Sequence, residues 1–393
     1  MNIVLFDETS AWENLLPLTF TKPISKLRIG ILTIDEKWKL YFPKSSINFL
    51  SQDYLSSCFA CEIINSNTFI NATILPNESL VSQISTLKDG EGLSGLKGLV
   101  AFKGSQEAFN AFKLSEAKKV NGMVDNIEKV YELFQKNGTA LISDYELITK
   151  NRKSKALSSS VTVIGSKDLV FLEEGAKAEA CIFNTKAGPI YIGKDAEVME
   201  GSMIRGPFAL GEHSALKLGT KIYGPTTVGP HCKVGGEVNN SVIFGYSNKA
   251  HDGFLGNSVI GEWCNLGADT NNSNLKNNYG NVKLYNYKEK KSTNTGLQFC
   301  GLIMGDYSKS GISTMFNTGT VVGVAANIFG SGFPVNHIPS FSWGSAEGME
   351  TYSIEKLFET SEKVFERRGL TFGVKEKEML KEIFDYTQLD RLG

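Results

Sequence analysis

The sequence predicts a mixed α/β domain over residues 1–155, a parallel β-helix of hexapeptide repeats over residues 160–345 and a helical cap over residues 350–393. Three observations lead to this fold class. A chain of 393 residues is longer than one hydrophobic core usually serves. Aliphatic residues recur at every sixth position in the middle of the chain, and apolar residues recur at helical spacing near its end. We therefore expect two domains followed by a helical segment.

The first part of the chain has the pattern of an α/β unit. The run NIVLF, residues 2–6, is short and apolar enough for a buried strand. The segment NIEKVYELFQKNG, residues 126–138, predicts a helix that ends at Asn137-Gly138. One face of that helix would carry Ile127, Val130, Tyr131 and Phe134. Residues 151–160, NRKSKALSSS, are polar, basic and serine-rich, which predicts a linker.

The middle of the chain repeats with a period of six residues. The recurring aliphatic residues are Ile192, Val198, Ile204, Leu210, Leu216, Ile222, Val228 and Val234. A period of six fits neither an α-helix nor an alternating strand. It is typical of a hexapeptide β-helix, in which each hexad forms a short strand and a corner. The aliphatic side chains would point into the core, and the glycines that follow four of them suit tight corners.

This repeat is interrupted twice. Its phase slips around residues 235–255 and returns at Ile260 and Leu266. Residues 271–300 lack the pattern, which predicts an excursion from the β-helix. The six-residue phase resumes at Met304, Phe316, Val322 and Ile328. Long excursions from a stiff repeat often carry function, because the repeat fixes their ends.

The C-terminal segment predicts two helices. The first has apolar residues at helical spacing and a stop signal at Gly369; these residues are Ile354, Leu357, Phe358, Val364 and Phe365. The second is marked by Met379, Leu380, Ile383 and Phe384. We expect the two helices to cap the open end of the β-helix, where its core would otherwise be exposed.

Composition excludes several classes of function. Lys and Arg number 41 against 42 Asp and Glu, which gives no electrostatic reason to expect a nucleic acid or an anionic membrane as partner. No apolar run approaches the length of a membrane span, and MNIVLFDETS lacks the basic start of a signal peptide. Six cysteines do not form a disulfide framework, so we expect reduced thiols and a cytoplasmic location. We interpret the CFAC pair, Cys58 and Cys61, as structural thiols, since a second pair at zinc-ligand spacing is missing.

The segment KAHDGFLGNSVIGEWCNLGADTNNSNLK, residues 249–276, resembles the acetyltransferase half of the bifunctional sugar-1-phosphate nucleotidylyltransferase/acetyltransferases, which make UDP-N-acetylglucosamine. His251, Phe254, Asn265 and Asn274 match the family motif in order and spacing, together with its hydrophobic-Gly pairs. The resemblance covers roughly residues 190–335. It implies a left-handed β-helix, a homotrimer, and acetyl-CoA bound along a seam between subunits.

The N-terminal segment NLLPLTFTKPISKL also resembles these enzymes, in the part that follows their glycine-rich nucleotide loop. In this chain the loop position reads FDETSAWE and contains no glycine. The resemblance implies a shortened, divergent nucleotidyltransferase-like domain that takes Mg²⁺ with a nucleoside triphosphate to form a UDP- or dTDP-sugar. Lys22 is the residue that it places toward the phosphates.

His251 is the predicted catalytic residue. Acetyl transfer to an amino sugar requires a base, because the amine must lose a proton before it attacks the thioester. An imidazole has an unperturbed pKa near neutrality and suits this role. The alternative interpretation is a histidine at a corner of the β-helix that only bonds backbone groups.

The predicted substrate-binding residues surround that histidine in sequence. They are Asn274, Lys283, Lys249, Lys276, Phe254 and Asn265. The amide of Asn274 would bind the sugar or the acetyl carbonyl, and the resemblance places Lys283 toward substrate. Lys249 and Lys276 are candidates for the sugar phosphate, and Phe254 stands where the family often has tyrosine.

A zinc site is the alternative role for two of the histidines. His213 and His231 lie one predicted coil of eighteen residues apart and would stack on one face. Related trimeric β-helices that hold zinc use a pair of histidines five apart, which this chain lacks. We therefore predict no metal among the histidines.

Two functions follow from these patterns. The first is an acetyl-CoA-dependent transferase that N-acetylates an amino-sugar 1-phosphate of the glucosamine-1-phosphate type, with nucleotidyl transfer by the N-terminal domain. The alternative is a sugar-nucleotide-binding, regulatory protein with an inactive N-terminal domain and a β-helix that serves as a trimerisation scaffold. In both, the partners are small molecules rather than nucleic acids or membranes.

Overall fold

The computed structural model describes residues 1–391 and places an N-terminal α/β domain against the side of a parallel β-helix, with helices at the C-terminus. The predicted fold class is confirmed. No helix among these residues has both the length and the hydropathy that crossing a membrane requires.

The N-terminal domain is built on a mixed sheet. In spatial order its strands are Ser46–Leu50, Asn2–Phe6, Asn67–Asn71, Gly98–Gly104, Gly92–Gly95 and Lys118–Lys119. The first three are parallel, and Gly98–Gly104 runs antiparallel to both of its neighbours. All five residues of NIVLF are buried, as the apolar run predicts for a central strand.

Helices cover this sheet and connect its strands. They are α1 (Thr9–Asn14), α2 (Ile34–Tyr41), α3 (Glu78–Ser85), α4 (Gln106–Ala111), α5 (Glu132–Gln135) and α6 (Asn137–Thr149). Short strands pair at Arg28–Ile29 with Leu32–Thr33 and at Ile74–Leu75 with Asp125–Asn126. Single 3₁₀ turns occur at Ile24–Lys26, Asp53–Leu55, Leu114–Glu116 and Lys167–Leu169.

The helix predicted over residues 126–136 is wrong in its bounds. Ile127, Val130 and Phe134 are buried as expected, but α6 begins at Asn137, where a helix end was predicted. The Asn137 amide is buried, and its Oδ1 accepts hydrogen bonds from Gly30 N at 2.8 Å and Thr227 Oγ1 at 3.1 Å. The asparagine therefore serves a tertiary contact between the domains, which a local stop signal cannot reveal.

Residues 161–351 wind into a three-sided β-helix. Face 1 comprises Thr162–Ile164, Ile182–Asn184, Met203–Arg205, Lys221–Tyr223, Glu237–Asn239 and Phe254–Gly256. Face 2 comprises Val170–Leu172, Ile190–Ile192, Phe208–Leu210, Thr226–Val228, Val242–Ile243, Val259–Ile260, Leu302–Met304, Thr320–Val322 and His337–Ile338. Face 3 comprises Lys177–Ala178, Glu197–Val198, Ala215–Leu216, Lys233–Val234, Asn248–Lys249, Asn265–Leu266, Lys309–Ser310, Asn327–Ile328, Ser342–Ser345 and, antiparallel at its end, Gly348–Thr351.

The six-residue repeat forms the inner wall of this β-helix. Each of the eight aliphatic residues from Ile192 to Val234 is at most 2% exposed. Successive coils pair in register, so that Leu216 lies beside Val234, eighteen residues later. Stacking identical positions buries one continuous apolar column, which is the interaction that stabilises a solenoid. This part of the sequence prediction is confirmed.

The phase slip has a simple geometric form. Val234 pairs with Lys249, only fifteen residues later, so this coil is three residues shorter than the one before it. The shortening places a lysine in the inward column of face 3, between the aliphatic residues Val234 and Leu266 of the neighbouring coils. The slip is therefore a change in coil length and not a break in the β-helix.

The excursion begins later than residue 271. Asn271–Asn272 still forms a strand that pairs with Met315–Phe316 and extends face 1. The chain then leaves the β-helix and forms an antiparallel hairpin of Lys283–Asn286 with Lys291–Asn294. The hairpin reaches the N-terminal domain, since Asn286 Nδ2 donates to Asn14 Oδ1 at 3.1 Å.

The C-terminal helices are α7 (Ile354–Glu366), α8 (Val374–Tyr386) and α9 (Gln388–Arg391). Phe365 on α7 stacks on Trp263 with 3.9 Å between ring centroids. Trp263 in turn ends a ladder of stacked rings along one corner of the β-helix, formed by His213, His231 and Tyr246. The helices thus pack along the side of the β-helix and not over its open end, which corrects the predicted cap, and α8 also contacts the N-terminal domain.

The two domains share one hydrophobic core. A single cluster of buried side chains includes Ile3 and Leu18 of the N-terminal domain and the outward residues Val259, Ile303 and Val321 of face 2. Face 2 is therefore covered by the N-terminal domain. The outward side of face 1 stays exposed.

Candidate functional site

The carboxyl ends of two central strands of the N-terminal domain meet at a change of direction in the sheet. The chain leaves Asn2–Phe6, adds Ser46–Leu50 on one side, and then adds Asn67–Asn71 on the other side. In open α/β sheets, such a switch point leaves a crevice at the carboxyl ends of the strands, and ligands bind there.

A cavity of about 500 Å³ lies at this switch point. Its lining joins residues that follow both strands to the hairpin and loops beyond them: Glu8, Ala11, Asn71, Thr73, Ile74, Ser94, Gly95, Leu96, Lys97, Gly98, Leu99, Val100, Lys119, Val120, Gly122, Met123, Val124, Asn126 and Glu128. The walls are mainly apolar, with a few amides, hydroxyls and charges. That composition is typical of small-molecule sites.

Local hydrogen bonds fix the polar groups of the cavity. Asn71 Oδ1 accepts from Thr73 N at 3.0 Å and from Thr73 Oγ1 at 2.8 Å, so the turn after the strand is rigid. Lys97 Nζ bonds to Glu128 at 2.7 Å, which links the hairpin turn to the opposite rim. Burial opposes ionisation of Glu128, but its bonds from Lys97 and Asn126 hold the carboxyl pKa below its ordinary value.

Lys22 points away from a ligand site and into the boundary between the domains. It is 3% exposed, and its Nζ lies 2.8 Å from Glu262 Oε2 and 2.8 Å from Asp306 Oδ2. Burial disfavours its charge, but the two carboxylates outweigh that effect and raise the lysine pKa. The structure therefore uses Lys22 to join the domains, which corrects the predicted position beside nucleotide phosphates.

Asp7, at the end of the strand Asn2–Phe6, also has its partners within the protein. Its carboxylate accepts from Ile24 N at 3.1 Å and from Ser51 Oγ at 2.5 Å. Burial raises its pKa to about 7, against the effect of these bonds. Of these two neighbouring carboxylates, it is that of Glu8 which lines the cavity, together with Glu128.

His251 occupies the corner between faces 3 and 1, and its side chain is exposed. The corner needs glycine close by. Gly253 has φ +121°, and a Cβ there would approach Thr270 O to 2.2 Å. An exposed imidazole at a rigid corner is available to a ligand, as the predicted role requires.

Lys249 lies beneath this corner and is 2% exposed. Its Nζ donates to Gly235 O at 3.0 Å and to His251 O at 2.8 Å. Burial lowers its pKa to about 8, although Asp252 and Asp269 nearby favour the charged form. A buried ammonium bound to two carbonyls is not open to a sugar phosphate, so the predicted phosphate contact is corrected to a role in holding the corner.

Two predicted residues come together on face 1, next to the corner of His251. The Phe254 ring and the Asn274 amide both lie against Gly256, where a Cβ would meet them at 2.4 and 2.7 Å. Asn274 Nδ2 also donates to Asn257 Oδ1 at 2.8 Å. This pair forms a polar and aromatic surface on face 1, beside the corner that carries the imidazole.

The remaining predicted residues lie elsewhere. Lys276 Nζ donates to Asn281 O at 2.8 Å within its own loop. Lys283 is exposed on the hairpin strand and pairs with Asn294. Asn265 is exposed on face 3, between Asn248 and Lys309. The structure does not gather these three side chains at the corner of His251.

Sequence reasoning missed the polar residues of the cavity. Asn71 and Thr73 follow the buried run NTFIN, so that a second strand prediction beside NIVLF would have pointed to them. Lys97 and Glu128 had no local signal, because a hairpin turn and a loop far apart in sequence bring them together.

Within residues 1–391, no three His, Cys, Asp or Glu side chains are grouped to hold a metal ion. His213 and His231 stack on each other, with 5.0 Å between ring centroids, as part of the ring ladder. All six cysteines are free thiols. Burial raises the pKa of both Cys58 and Cys61, which suits inert thiols better than a reactive pair.

A family model described as sugar nucleotidyl transferase matches residues 3–153, which is most of the N-terminal domain. No curated protein sequence matches the chain.

Solved structures that resemble the chain include acyltransferases. An Arabidopsis UDP-N-acetylglucosamine acyltransferase is 15% identical, with a TM-score of 0.24, over 55% of this chain and 78% of that one. The corresponding enzyme from Campylobacter jejuni is 14% identical, with a TM-score of 0.22, over 58% and 83%. AntD, an N-acyltransferase from Bacillus cereus in complex with dTDP and coenzyme A, is 11% identical, with a TM-score of 0.23, over 49% and 92%. At these identities and TM-scores the likenesses establish no activity for this chain.

Proposed function

We propose that this chain is a two-site transferase of sugar-nucleotide synthesis that acts in the cytoplasm. In this proposal the N-terminal cavity binds a nucleotide or nucleotide sugar of the UDP or dTDP kind. The β-helix transfers the acetyl group of acetyl-CoA to the amine of an amino-sugar 1-phosphate, such as glucosamine 1-phosphate. The observation that carries the proposal is that the family match, residues 3–153, falls on a domain with a cavity at its switch point.

The position of the cavity at the switch point and the residues that line it support nucleotide binding. Its apolar side chains suit a base and a sugar ring, and Asn71, Ser94 and Lys97 supply polar contacts at its edge. Mg²⁺ needs only one or two carboxylates when substrate phosphates complete its shell. Glu8 fits that need, so Mg²⁺ with a nucleoside triphosphate belongs to the proposal.

In the proposed acetyl transfer, His251 takes a proton from the ammonium of the amino sugar. The freed amine bonds to the thioester carbonyl carbon, the carbon–sulfur bond breaks, and the nitrogen gives up its second proton, which the coenzyme A thiolate takes up. Asn274 donates to the sugar or to the acetyl oxygen, beside Phe254. The exposure of the imidazole supports this assignment.

A homotrimer would complete the site. Face 1 exposes apolar side chains on its outward side, which the N-terminal domain leaves uncovered; they include Ile182, Met203, Tyr223 and Met315. A second copy packed there would cover this surface and enclose the corner of His251. Light scattering should report a trimer, and Met203→Glu should dissociate it; a monomeric wild type would contradict the seam.

The test of acetyl transfer is free-thiol release from acetyl-CoA with glucosamine 1-phosphate. We expect His251→Ala to lower kcat by at least about a hundredfold, since general bases contribute roughly 10²–10⁴-fold. His213→Ala removes another exposed corner histidine and should leave turnover unchanged. Equal turnover by His251→Ala and the wild type would remove the assigned base.

A second function is favoured by the position of Lys22. With this lysine held by Glu262 and Asp306 and with no glycine in residues 7–14, the N-terminal domain would bind a sugar nucleotide without converting it. The β-helix would then serve as a trimerisation scaffold in a regulatory protein. Thermal stabilisation by UDP-N-acetylglucosamine, with neither pyrophosphate nor thiol release, would favour this function.

A further inference from the structure

The cavity at the switch point adjoins a second cavity of about 330 Å³. The second cavity is lined by Phe6, Glu8, Asn71, Lys97, Gly98, Leu99, Phe112 and Leu114. Glu8, Asn71 and Lys97 line both cavities, so they mark the junction. Two cavities with a polar junction between them suit a ligand that has two uncharged parts joined by a charged group.

We infer that Lys97, and not Lys22, is the cation that binds the phosphate of the ligand in the N-terminal domain. To do so, Lys97 breaks its ion pair with Glu128. This inference rests on the proposed nucleotide site. It assigns the phosphates to the junction, with the base and the sugar on either side of it.

The charges at the site favour Lys97. Lys22 forms ion pairs with two carboxylates at the boundary between the domains. Lys119 lines only the first cavity, and its neighbour Lys118 bonds to Glu91 at 2.6 Å. Lys97 is the lysine that reaches both cavities. A diphosphate at the junction therefore meets this ammonium first.

The bond between Lys97 and Glu128 can be exchanged. The Lys97 side chain is 56% exposed and that of Glu128 is 35% exposed, so solvent weakens their ion pair. A phosphate offers more charge and more acceptor oxygens than one carboxylate. After exchange, Glu128 keeps the hydrogen bond from Asn126 Nδ2 at 2.9 Å and does not lose all its partners.

The backbone at the hairpin turn allows Lys97 to move. The turn spans Gly95 to Gly98, and a Cβ at Gly98 would meet nothing within 4 Å. Leu96, next to Lys97 in the turn, is fully exposed, and Met123 on the opposite rim is largely exposed. The turn is thus free of packing contacts that would hold Lys97 against Glu128.

Isothermal titration of the full chain with UDP-N-acetylglucosamine and with dTDP-glucose tests this inference. We expect Lys97→Met to weaken binding about tenfold or more and Lys97→Arg to restore most of it, as for a charged hydrogen bond to phosphate. Glu128→Gln should tighten binding, because it removes the competitor for Lys97. Lys118→Met is the matched control, one residue from a cavity lysine, and should leave affinity unchanged.

The outcomes separate the inference from the proposed function. Unchanged affinity in Lys97→Met, with the wild type binding, would overturn the role of Lys97 and leave the nucleotide site standing. If neither nucleotide sugar bound the wild type, the nucleotide site and this inference would both fall. Uridine binding as tightly as UDP-N-acetylglucosamine would also overturn the inference, since uridine lacks the phosphates.

Discussion

Asp7, Lys22 and Lys249 are charged side chains that lie inside the protein, and their partners decide what each can do. Lys22 has two carboxylates and stays charged. Lys249 has only carbonyl acceptors, and burial lowers its pKa to about 8. Asp7 has a hydroxyl and a backbone N–H, and burial raises its pKa to about 7. Asp7 and Lys249 therefore make the free energy of unfolding depend on pH.

We predict that Asp7 makes the protein less stable as pH rises from about 4 to about 7. Its carboxyl pKa is about 7 in the folded chain against an ordinary value of 3.8, so the folded state binds more protons across this range. Asp7→Asn should flatten this part of the curve of unfolding free energy against pH, measured by urea denaturation. Asp53→Asn, an exposed change, should preserve the slope. An unchanged slope in Asp7→Asn would contradict the prediction.

For Lys249 we predict the opposite effect, namely a free energy of unfolding that increases with pH. Its pKa is about 8 in the folded chain, below the ordinary value of 10.5, so between these pH values the unfolded chain binds more protons and stability rises with pH. Lys249→Met should abolish this rise. It should also lower acetyl transfer, because the His251 carbonyl loses a hydrogen bond at 2.8 Å.

The matched control for that variant is Lys233→Met, an outward lysine on the neighbouring coil of face 3. It should change neither the pH dependence of stability nor the turnover. A rise in stability with pH that survives in Lys249→Met would show that other groups cause it.

At the scale of elements, the strands of the β-helix owe their positions to one inward residue each. The inward column is continuous from Ile192 to Val234, and face 2 adds outward apolar residues because the N-terminal domain covers them. The three-residue shortening before Lys249 shows that coil length can change while strand pairing continues. That change brings His251 to a corner beside Phe254 and Asn274.

We predict that Leu210→Ala destabilises the chain by about 2–5 kcal/mol, the usual cost of a cavity at a buried leucine. Leu210 is fully buried between Ile192 and Val228. Met203→Ala, on the outward side of face 1, should cost under about 1 kcal/mol. Equal losses of unfolding free energy in the two variants would mean that the inward column does not dominate stability.

At the scale of the whole molecule, the N-terminal domain, the β-helix and the C-terminal helices form one packed body. Lys22, the hairpin residue Asn286 and Phe365 on α7 each contact another unit. Both candidate sites therefore sit on a common frame, with the hairpin leaving the β-helix near Asn274 and reaching α1, which borders the cavity at Ala11.

We predict that Lys22→Met destabilises the whole chain by about 3–5 kcal/mol, because Asp306 and Glu262 would keep their charges without the cation. Denaturation should then occur in two steps as the domains separate. Lys26→Met, which removes a lysine paired with Asp35 nearer the surface, should cost about 1 kcal/mol or less. A Lys22→Met chain as stable as the Lys26→Met chain would contradict the role of Lys22 as a bond between domains.

The amino-acid pattern alone specifies the repeat, because a buried aliphatic residue at every sixth position is satisfied by coils that stack in register. It also specifies the buried strand NIVLF and the two C-terminal helices. The folded chain was needed to show that Lys22 and Lys249 are internal, that α6 begins at Asn137, and that Lys97 meets Glu128 across a cavity. Burial and partners of a charged group arise from segments far apart in the chain, and no local pattern of residues encodes them.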